Sequence, residues 1–305
     1  MSEWLTNSRR AAWQRCARLH FYAYTLRLRP ERPGRALAIG SAVHAGLEDL
    51  WRGQVHTVDR ARHGITDVDE AMVRVLLAGY VERWGDEDAG RMVHGIELPF
   101  VAPLSAPDGT FARQWWIAGK LDVVIEEPDG SLWIVEHKTT AEEIAPGSHY
   151  LRRQRMAPQL SLYLDGARSI GINAEGVILD VIRKPQLRRG ASETVEAFAA
   201  RLATAMRSPC MYARHRIHRT DADLDAARAD WCAIASQIEA EAHADSPPPR
   251  NVDSCFDYFR PCEYLALCLG EHTPWDGETG LVQLRTPHPE LAGDATPLVD
   301  GKEHP

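Results

Sequence analysis

The sequence predicts an α/β protein of the α+β kind, built on a mixed sheet, and three observations predict it. Apolar residues recur at helical spacing up to about residue 84. Between residues 96 and 138 the period changes to that of strands, punctuated by two Pro-Asp-Gly turns. A helical and then a strand pattern follow, as far as residue 183. The expected order is helix, three antiparallel strands, helix, strand, with helical additions and a cysteine-clustered C-terminal segment.

Residues 8–26 carry Ala12, Cys16, Leu19, Tyr22 and Leu26 at helical spacing, and Pro30 and Pro33 end the segment. Ile39, Val43, Leu47 and Leu50 mark a second helix over 37–51, and a third is expected over 68–84. Strands are expected over 96–104, 111–126 and 131–138, where β-branched and aromatic residues gather. Pro107-Asp108-Gly109 and Pro128-Asp129-Gly130 have the residues of three-residue hairpin loops. A helix over 157–170 ends at Gly171, and a strand covers 176–183. Residues 192–207 and 221–243 read as helices, Pro247 to Pro249 as a stiff spacer, and 273–305 as a flexible tail rich in Pro, Gly and charge.

The chain has 305 residues, 44% hydrophobic and 26% charged, which excludes wholesale disorder, collagen and coiled coil. A net charge of -8 speaks against a polyanionic partner until its distribution is read. Residues 1–35 hold eight arginines against two acids, Glu3 and Glu31. Further basic clusters lie at Arg152, Arg153 and Arg155 and at Arg183, Lys184, Arg188 and Arg189. No apolar run reaches membrane-helix length, and the N-terminus has no apolar secretory segment. A cytoplasmic, reducing location is the expectation, with the six cysteines as thiols or metal ligands.

If residues 128–130 form the hairpin loop, Glu127 faces Ser131, Asp122 faces Glu136 and Lys120 faces Lys138. Opposed Cβ atoms then stand about 5 Å apart, close enough for two carboxylates to share a hard divalent cation. Strand alternation puts Glu136 and Lys138 on one face and turns His137 away. Two carboxylates beside an ammonium suit metal-assisted hydrolysis of a phosphodiester. Glu-x-Lys alone decides nothing, since chance alone produces it about one time in four at average composition.

Its company decides more. His44 lies in Gly40-Ser41-Ala42-Val43-His44 on the helix before the hairpin, and Gln159 and Tyr163 are four apart on the helix after it. Glu48, one turn beyond His44, reads as a solvated helix charge. Gly-x-x-x-His, Gly-Lys-Leu-Asp, Glu-x-Lys and Gln-x-x-x-Tyr, in that order, resemble the RecB-type nucleases of the PD-(D/E)XK superfamily over residues 8–185 and again over 250–268. The resemblance implies a restriction-endonuclease-like core. It implies His44, Asp122 and Glu136 as ligands of Mg²⁺ or Mn²⁺, Lys138 as the catalytic lysine, and Gln159 and Tyr163 as its supports. Leu121 stands where the superfamily's name has Pro, a turn position without a chemical role.

Cys255, Cys262 and Cys268 lack one ligand for a tetrahedral Zn²⁺ or for an iron-sulfur cluster. The resemblance supplies Cys16, since members of that branch hold a [4Fe-4S] cluster with one N-terminal and three C-terminal cysteines. Zn²⁺ remains the alternative, and Cys210 and Cys232 read as structural. Such a clip closes a loop of about 240 residues, worth about 5 kcal/mol in the chain-entropy account.

The domain reading is a basic N-terminal helix over 1–35, a nuclease core over 36–190, a helical region over 191–245, the cysteine segment over 246–272 and the tail. The expected function is that of a metal-dependent deoxyribonuclease, an exonuclease on single strands or duplex ends, in repair or recombination. Arg9, Arg10, Arg15, Arg152, Arg153, Arg183 and Lys184 would track phosphates. No Gly-x-x-x-x-Gly-Lys-Ser/Thr loop is present, so unwinding falls to a partner: a helicase, a recombinase or a CRISPR-adaptation protein. The alternatives are a non-catalytic DNA-end-binding or assembly subunit, and a zinc-stabilised endonuclease that cuts closed circles.

Overall fold

The computed structural model describes residues 3–242, 246–257, 260–288 and 291. In chain order the elements begin with β1 (Glu3–Leu5), α1 (Asn7–Arg15), α2 (Ala17–His20), a π-helical turn (Phe21–Thr25) and β2 (Leu28–Pro30). Then come α3 (Arg35–Trp51), α4 (Arg60–His63), α5 (Asp67–Asp88), β3 (Met92–Ser105), β4 (Phe111–Glu126) and β5 (Leu132–Thr140). Next are α6 (His149–Arg155), α7 (Pro158–Ser169), β6 (Gly176–Arg183), α8 (Val195–Met206), β7 (Tyr212–Ile217) and α9 (Asp221–Ala242). The last are β8 (Phe256–Asp257), β9 (Arg260–Pro261), α10 (Leu265–Leu269) and β10 (Leu281–Gln283). No helix among the described residues is long and apolar enough to cross a membrane.

The chain divides into two compact units, one of residues 1–32, 99–120 and 220–305, the other of residues 33–98 and 121–219. The expected segmentation ran in consecutive blocks. Here β3 and β4 each have residues in both units.

In the second unit β4 and β5 are antiparallel, β5 and β6 parallel, and β6 and β7 antiparallel. The parallel pair requires a crossover, which α6 and α7 provide. Strand β6 is buried on both faces, as a strand covered by helices on each side must be. One face packs Ile182 and Tyr212 against α3, α5 and α8 in a single apolar cluster. Gly46 of α3 lies where Leu77 of α5 packs, and a Cβ there would collide with that side chain. The close approach fixes α3, and with it His44.

Three differences from the sequence reading have identifiable causes. The helix expected over 8–26 breaks at Cys16, whose backbone is extended at φ -167° and ψ 120°. Residues 249–251 serve the break: Arg18 N donates to Pro249 O at 3.2 Å and Asn251 N to Cys16 Sγ at 3.3 Å. Within the expected helical region of 191–245, the stretch between the helices expected over 192–207 and 221–243 holds β7, whose polar run Arg214-His215-Arg216 hides a strand paired to β6. Within the expected tail, β10 pairs antiparallel with β2 and Leu281 packs beside Leu28 and Tyr264; residues 289, 290 and 292–305 lie outside the described residues. Strand β1, parallel to β4, and helix α6 were not expected.

His20 gives the first unit a pH response. It is 3% exposed, accepts from Arg9 Nε at 3.1 Å, and is pushed down to about 3 by burial and then by the charges of Arg9 and Arg29. The unfolded chain takes up that proton near pH 6.5 and the folded chain refuses it, so stability falls as pH drops through this window. The slope from this group is about 1.4 kcal/mol per pH unit. His20→Gln keeps an acceptor for Arg9 without titrating. Urea denaturation between pH 4 and 7 is expected to show a shallower pH dependence for the variant, and equal slopes would remove His20 from this role.

Candidate active site

The β4–β5 hairpin places the two carboxylates. Its ladder pairs Val123 with Val135, Val124 with Ile134, Ile125 with Trp133 and Glu126 with Leu132, the register that the turn residues dictate. Glu127 N bonds to Ser131 O at 2.9 Å across the turn, and Gly130 takes φ 84°, where a side chain would be strained. Beyond Val123, Asp122 Oδ2 accepts the His137 N–H at 2.9 Å.

Alternation along β5 then sends Glu136 and Lys138 to the face covered by α7. Lys138 Nζ stands 2.5 Å from Glu136 Oε1 and donates to Gln159 Oε1 at 2.9 Å. Gln159 Nε2 in turn donates to Tyr163 OH at 2.8 Å. His44 Nδ1, from α3, lies 3.5 Å from Asp122 Oδ2. The structure thus brings His44 to Asp122, and Glu136, Lys138, Gln159 and Tyr163 into one chain of contacts.

Burial sets the protonation states. Glu136 is pushed up to about 7 by burial and then by the Asp122 charge, against the pull of Lys138. Asp122 is raised, again chiefly by burial. His44 is pushed down to about 4 by burial and by His137. Burial alone would lower Lys138, yet Glu136 holds it above its ordinary value.

One buried atom here is unsatisfied: Glu136 Oε2 has no hydrogen-bond partner among the described residues. A buried carboxylate oxygen without a donor is costly, and a neutral imidazole with two carboxylates is a donor set for a divalent cation. Among the described residues no group of three or more His, Cys, Asp or Glu side chains is gathered closely enough to hold a metal ion. In this arrangement Lys138 occupies one Glu136 oxygen while His44 lies against Asp122.

On the opposite face of β5 lies a network the sequence reading missed. Trp51 Nε1 donates to His137 Nε2 at 3.0 Å, which assigns the ring proton to Nδ1, 3.4 Å from Asp180 Oδ2. Asp180 is fully buried and accepts from Tyr80 OH at 2.7 Å and from Arg214 Nη2 at 3.1 Å. Burial would raise this carboxyl, but His137 and Arg214 hold it below its ordinary value. The sequence carried a signal, an aspartate inside the apolar run Val177-Ile178-Leu179-Asp180-Val181-Ile182, since a charge so placed must be paired. Glu97 was also missed. It holds φ 53°, uncommon outside glycine, and its charge reaches both His44 and Asp122.

The basic residues separate by environment. Arg9 is 7% exposed and spends its guanidinium on Glu3 Oε2 at 2.6 Å, Trp4 O and His20, so it is an internal ion pair and not a surface cation. Arg10 bonds to Asn7 and Gln14, and Arg15 to Ser254 O. Arg152 and Arg153 are exposed on α6, the latter paired with Glu142 at 2.6 Å. Arg183 and Lys184, at the end of β6, are half-buried. Glu48 pairs with Arg52.

All six cysteines carry free thiols. In the first unit Cys16, Cys262 and Cys268 share an apolar cluster with Leu19, Tyr22 and Tyr264, and Cys262 N bonds to Cys255 O at 2.7 Å. Burial pushes the Cys268 thiol up, and Cys16 and Cys255 are near enough to add to the effect. The four therefore share a region and are the right donors in kind, without forming a ligand cage. Cys210 and Cys232 are not part of that cluster.

A family model described as the PD-(D/E)XK nuclease superfamily matches residues 5–269. No curated protein matches. Among the solved structures that match, the crystal structure of SSO0001 is 14% identical, over 69% of this chain and 76% of that one, with a TM-score of 0.28. That likeness is too slight to bear on the fold.

Asp180→Ala removes the one carboxylate shared by Tyr80, His137 and Arg214. Arg214 keeps Asp88, at 2.6 Å, so the expected cost lies at the low end for a broken buried pair, about 3 kcal/mol. Urea denaturation measures it, and a loss below about 1 kcal/mol would show that the network is not what stabilises this face.

Proposed function

The chain belongs to the PD-(D/E)XK nuclease superfamily, and from that premise we propose that it is a metal-dependent DNA exonuclease acting on single strands or duplex ends. His44, Asp122 and Glu136 hold one or two Mg²⁺ or Mn²⁺ ions, and Lys138 is the catalytic lysine. The observation that carries this reading is the environment of Glu136, a buried carboxylate with one oxygen on the Lys138 ammonium and the other unsatisfied among the described residues.

A divalent cation at that position supplies positive charge against the scissile phosphate and acidifies the attacking water. The chain's own groups do the rest. His44, held well below its ordinary range, is unprotonated at neutral pH and offers a lone pair. Lys138 keeps its proton beside Glu136, so it acts as a fixed positive charge toward the developing phosphate charge and not as a base. Gln159 fixes the ammonium, and because its amide N–H is committed to Tyr163 its oxygen is the end that faces Lys138. Arg152 and Arg155, exposed on α6, and Arg183 and Lys184 would meet phosphates. Strand separation falls to a partner helicase, recombinase or CRISPR-adaptation protein.

We infer in addition a [4Fe-4S] cluster on Cys16, Cys255, Cys262 and Cys268, with Zn²⁺ as the alternative. What supports it is the donor set, four thiols from distant parts of the chain within one unit, Cys268 close to both Cys16 and Cys255. Its contribution is a cross-link, and it takes no part in hydrolysis.

With Mn²⁺ present, end-labelled linear DNA is expected to be degraded while closed circles stay intact, and chelation is expected to stop the reaction. Lys138→Ala should slow it by about 10²-fold or more. If wild type and variant leave linear DNA equally intact, the enzyme reading fails and a DNA-binding subunit remains.

Anaerobically purified wild type is expected to be brown and to contain iron and acid-labile sulfide, both lost in Cys16→Ala. Zinc in their place would select the alternative metal, and a variant with undiminished iron would remove Cys16 from the ligand set.

A further inference from the structure

The first unit contains a cavity of about 630 Å³. Its wall is built from Trp13 of α1, Phe21 and Tyr24 of the π-helical turn, Gln114 and Trp115 of β4, and Glu239 near the end of α9. A π-helical turn is rare and recurs at functional sites; here it contributes two rings to one wall.

The polar groups narrow what the cavity accepts. Arg9, which also lines it, is neutralised by Glu3 at 2.6 Å, and His20, at about 3, is uncharged at neutral pH. Glu239 and Glu241 add negative charge to the wall, so a phosphate is disfavoured. At two of the rings a cation is already in place, since the Arg9 guanidinium lies 4.9 Å from the Trp115 ring centre and that of Arg29 lies 4.6 Å from Tyr24, which leaves Trp13 and Phe21 as the stacking surfaces. What suits the space is a flat, neutral ring with hydrogen-bond donors on its edge.

Two further features point to the same class. Trp13 is half-buried and its indole N–H is pinned to Gln237 Oε1 at 3.1 Å, which makes it a stacking platform held in place before any ligand arrives. Trp115 is 4% exposed and forms a fixed aromatic part of the wall. Gln114 Nε2 donates to Glu239 Oε1 at 2.6 Å, which fixes the carboxylate as an acceptor for amino groups.

We propose that this cavity is a subsite for one unpaired nucleobase, stacked on Trp13 and read at its edge by Glu239, so that bases with an exocyclic amino group are preferred over thymine. The proposal rests on the reading of the chain as an enzyme acting on DNA and names how it holds a single strand.

The test is fluorescence anisotropy with the full chain in chelator, so that no cleavage occurs, using labelled oligo-dC, oligo-dA and oligo-dT of one length. Wild type is expected to bind oligo-dC and oligo-dA at least about fivefold more tightly than oligo-dT, and Trp13→Ala to lose that margin. Trp13→Phe, which keeps a stacking face, should recover most of it, and Glu239→Leu should bring the three oligonucleotides together. Equal binding of all three by wild type, or a margin untouched by Trp13→Ala, would overturn the proposal. So would a lysine-rich peptide whose binding is lost in Trp13→Ala, which would make the occupant a cation. Base preference in chelator without cleavage in Mn²⁺ supports the cavity and counts only against the nuclease reading, whereas cleavage without base preference overturns the cavity alone.

Discussion

The contact between Lys138 and Glu136 is the constraint around which the second unit is arranged. A carboxylate that is 1% exposed is tolerated only if its charge is met or its proton retained. Here both happen in part: the ammonium sits at 2.5 Å, and burial still lifts the group to about 7. Every neighbouring element serves that balance. The hairpin brings Asp122 across, α7 offers Gln159 to the far side of the ammonium, and α3 sets His44 beside Asp122. A site so composed is short of positive charge, which is the electrostatic state that a divalent cation relieves.

Glu136, His137 and Lys138 of β5 carry polar side chains to both faces of the sheet. Glu136 and Lys138 look toward α7 while His137 looks toward α3 and α5, and each side must satisfy its own groups in a low-dielectric interior. On the His137 side Trp51 fixes one ring nitrogen, and Asp180 lies beside the other, at 3.4 Å, while gathering Tyr80 and Arg214. Because His137 N–H also holds Asp122 Oδ2, the two faces are coupled through one residue's backbone. The reverse network is therefore part of what holds Asp122 against β5.

These dependencies explain what could be read from the chain. The hairpin register was legible because Pro128-Asp129-Gly130 fixes the turn and the turn fixes every pair behind it. His44, Asp122, Glu136, Lys138, Gln159 and Tyr163 were legible as a motif, in order along the sequence. Asp180 and Arg214 were not brought together because their pairing is made by β6 lying beside β7, and β7 itself was hidden under charges that only make sense as strand residues once Asp180 is there to meet them. Glu97 was invisible because its signal is a backbone angle. The break at Cys16 escaped for a similar reason: Arg18 N–H is met by Pro249 O, and Cys16 Sγ accepts from Asn251 N, more than 200 positions away, whereas local spacing alone favours an unbroken helix.

That break also bears on what the cysteines contribute. Cys16 is 9% exposed and sits in an apolar cluster with Leu19, Tyr22, Leu28, Tyr264 and Leu267, which closes without any ligand bond. The β2–β10 pair and the hydrogen bond from Tyr264 OH to Leu28 O, at 2.8 Å, tie the C-terminal segment to the N-terminal one independently of the thiols. Burial meanwhile pushes Cys262 up to about 11, so that thiol is protonated in this arrangement, and only thiolates bind metal. Ligation therefore has to release protons and gather sulfurs within a segment whose apolar packing already exists. A group bound there stabilises the junction by adding cross-links to a formed core, unlike a small zinc domain, in which the metal supplies the folding energy itself.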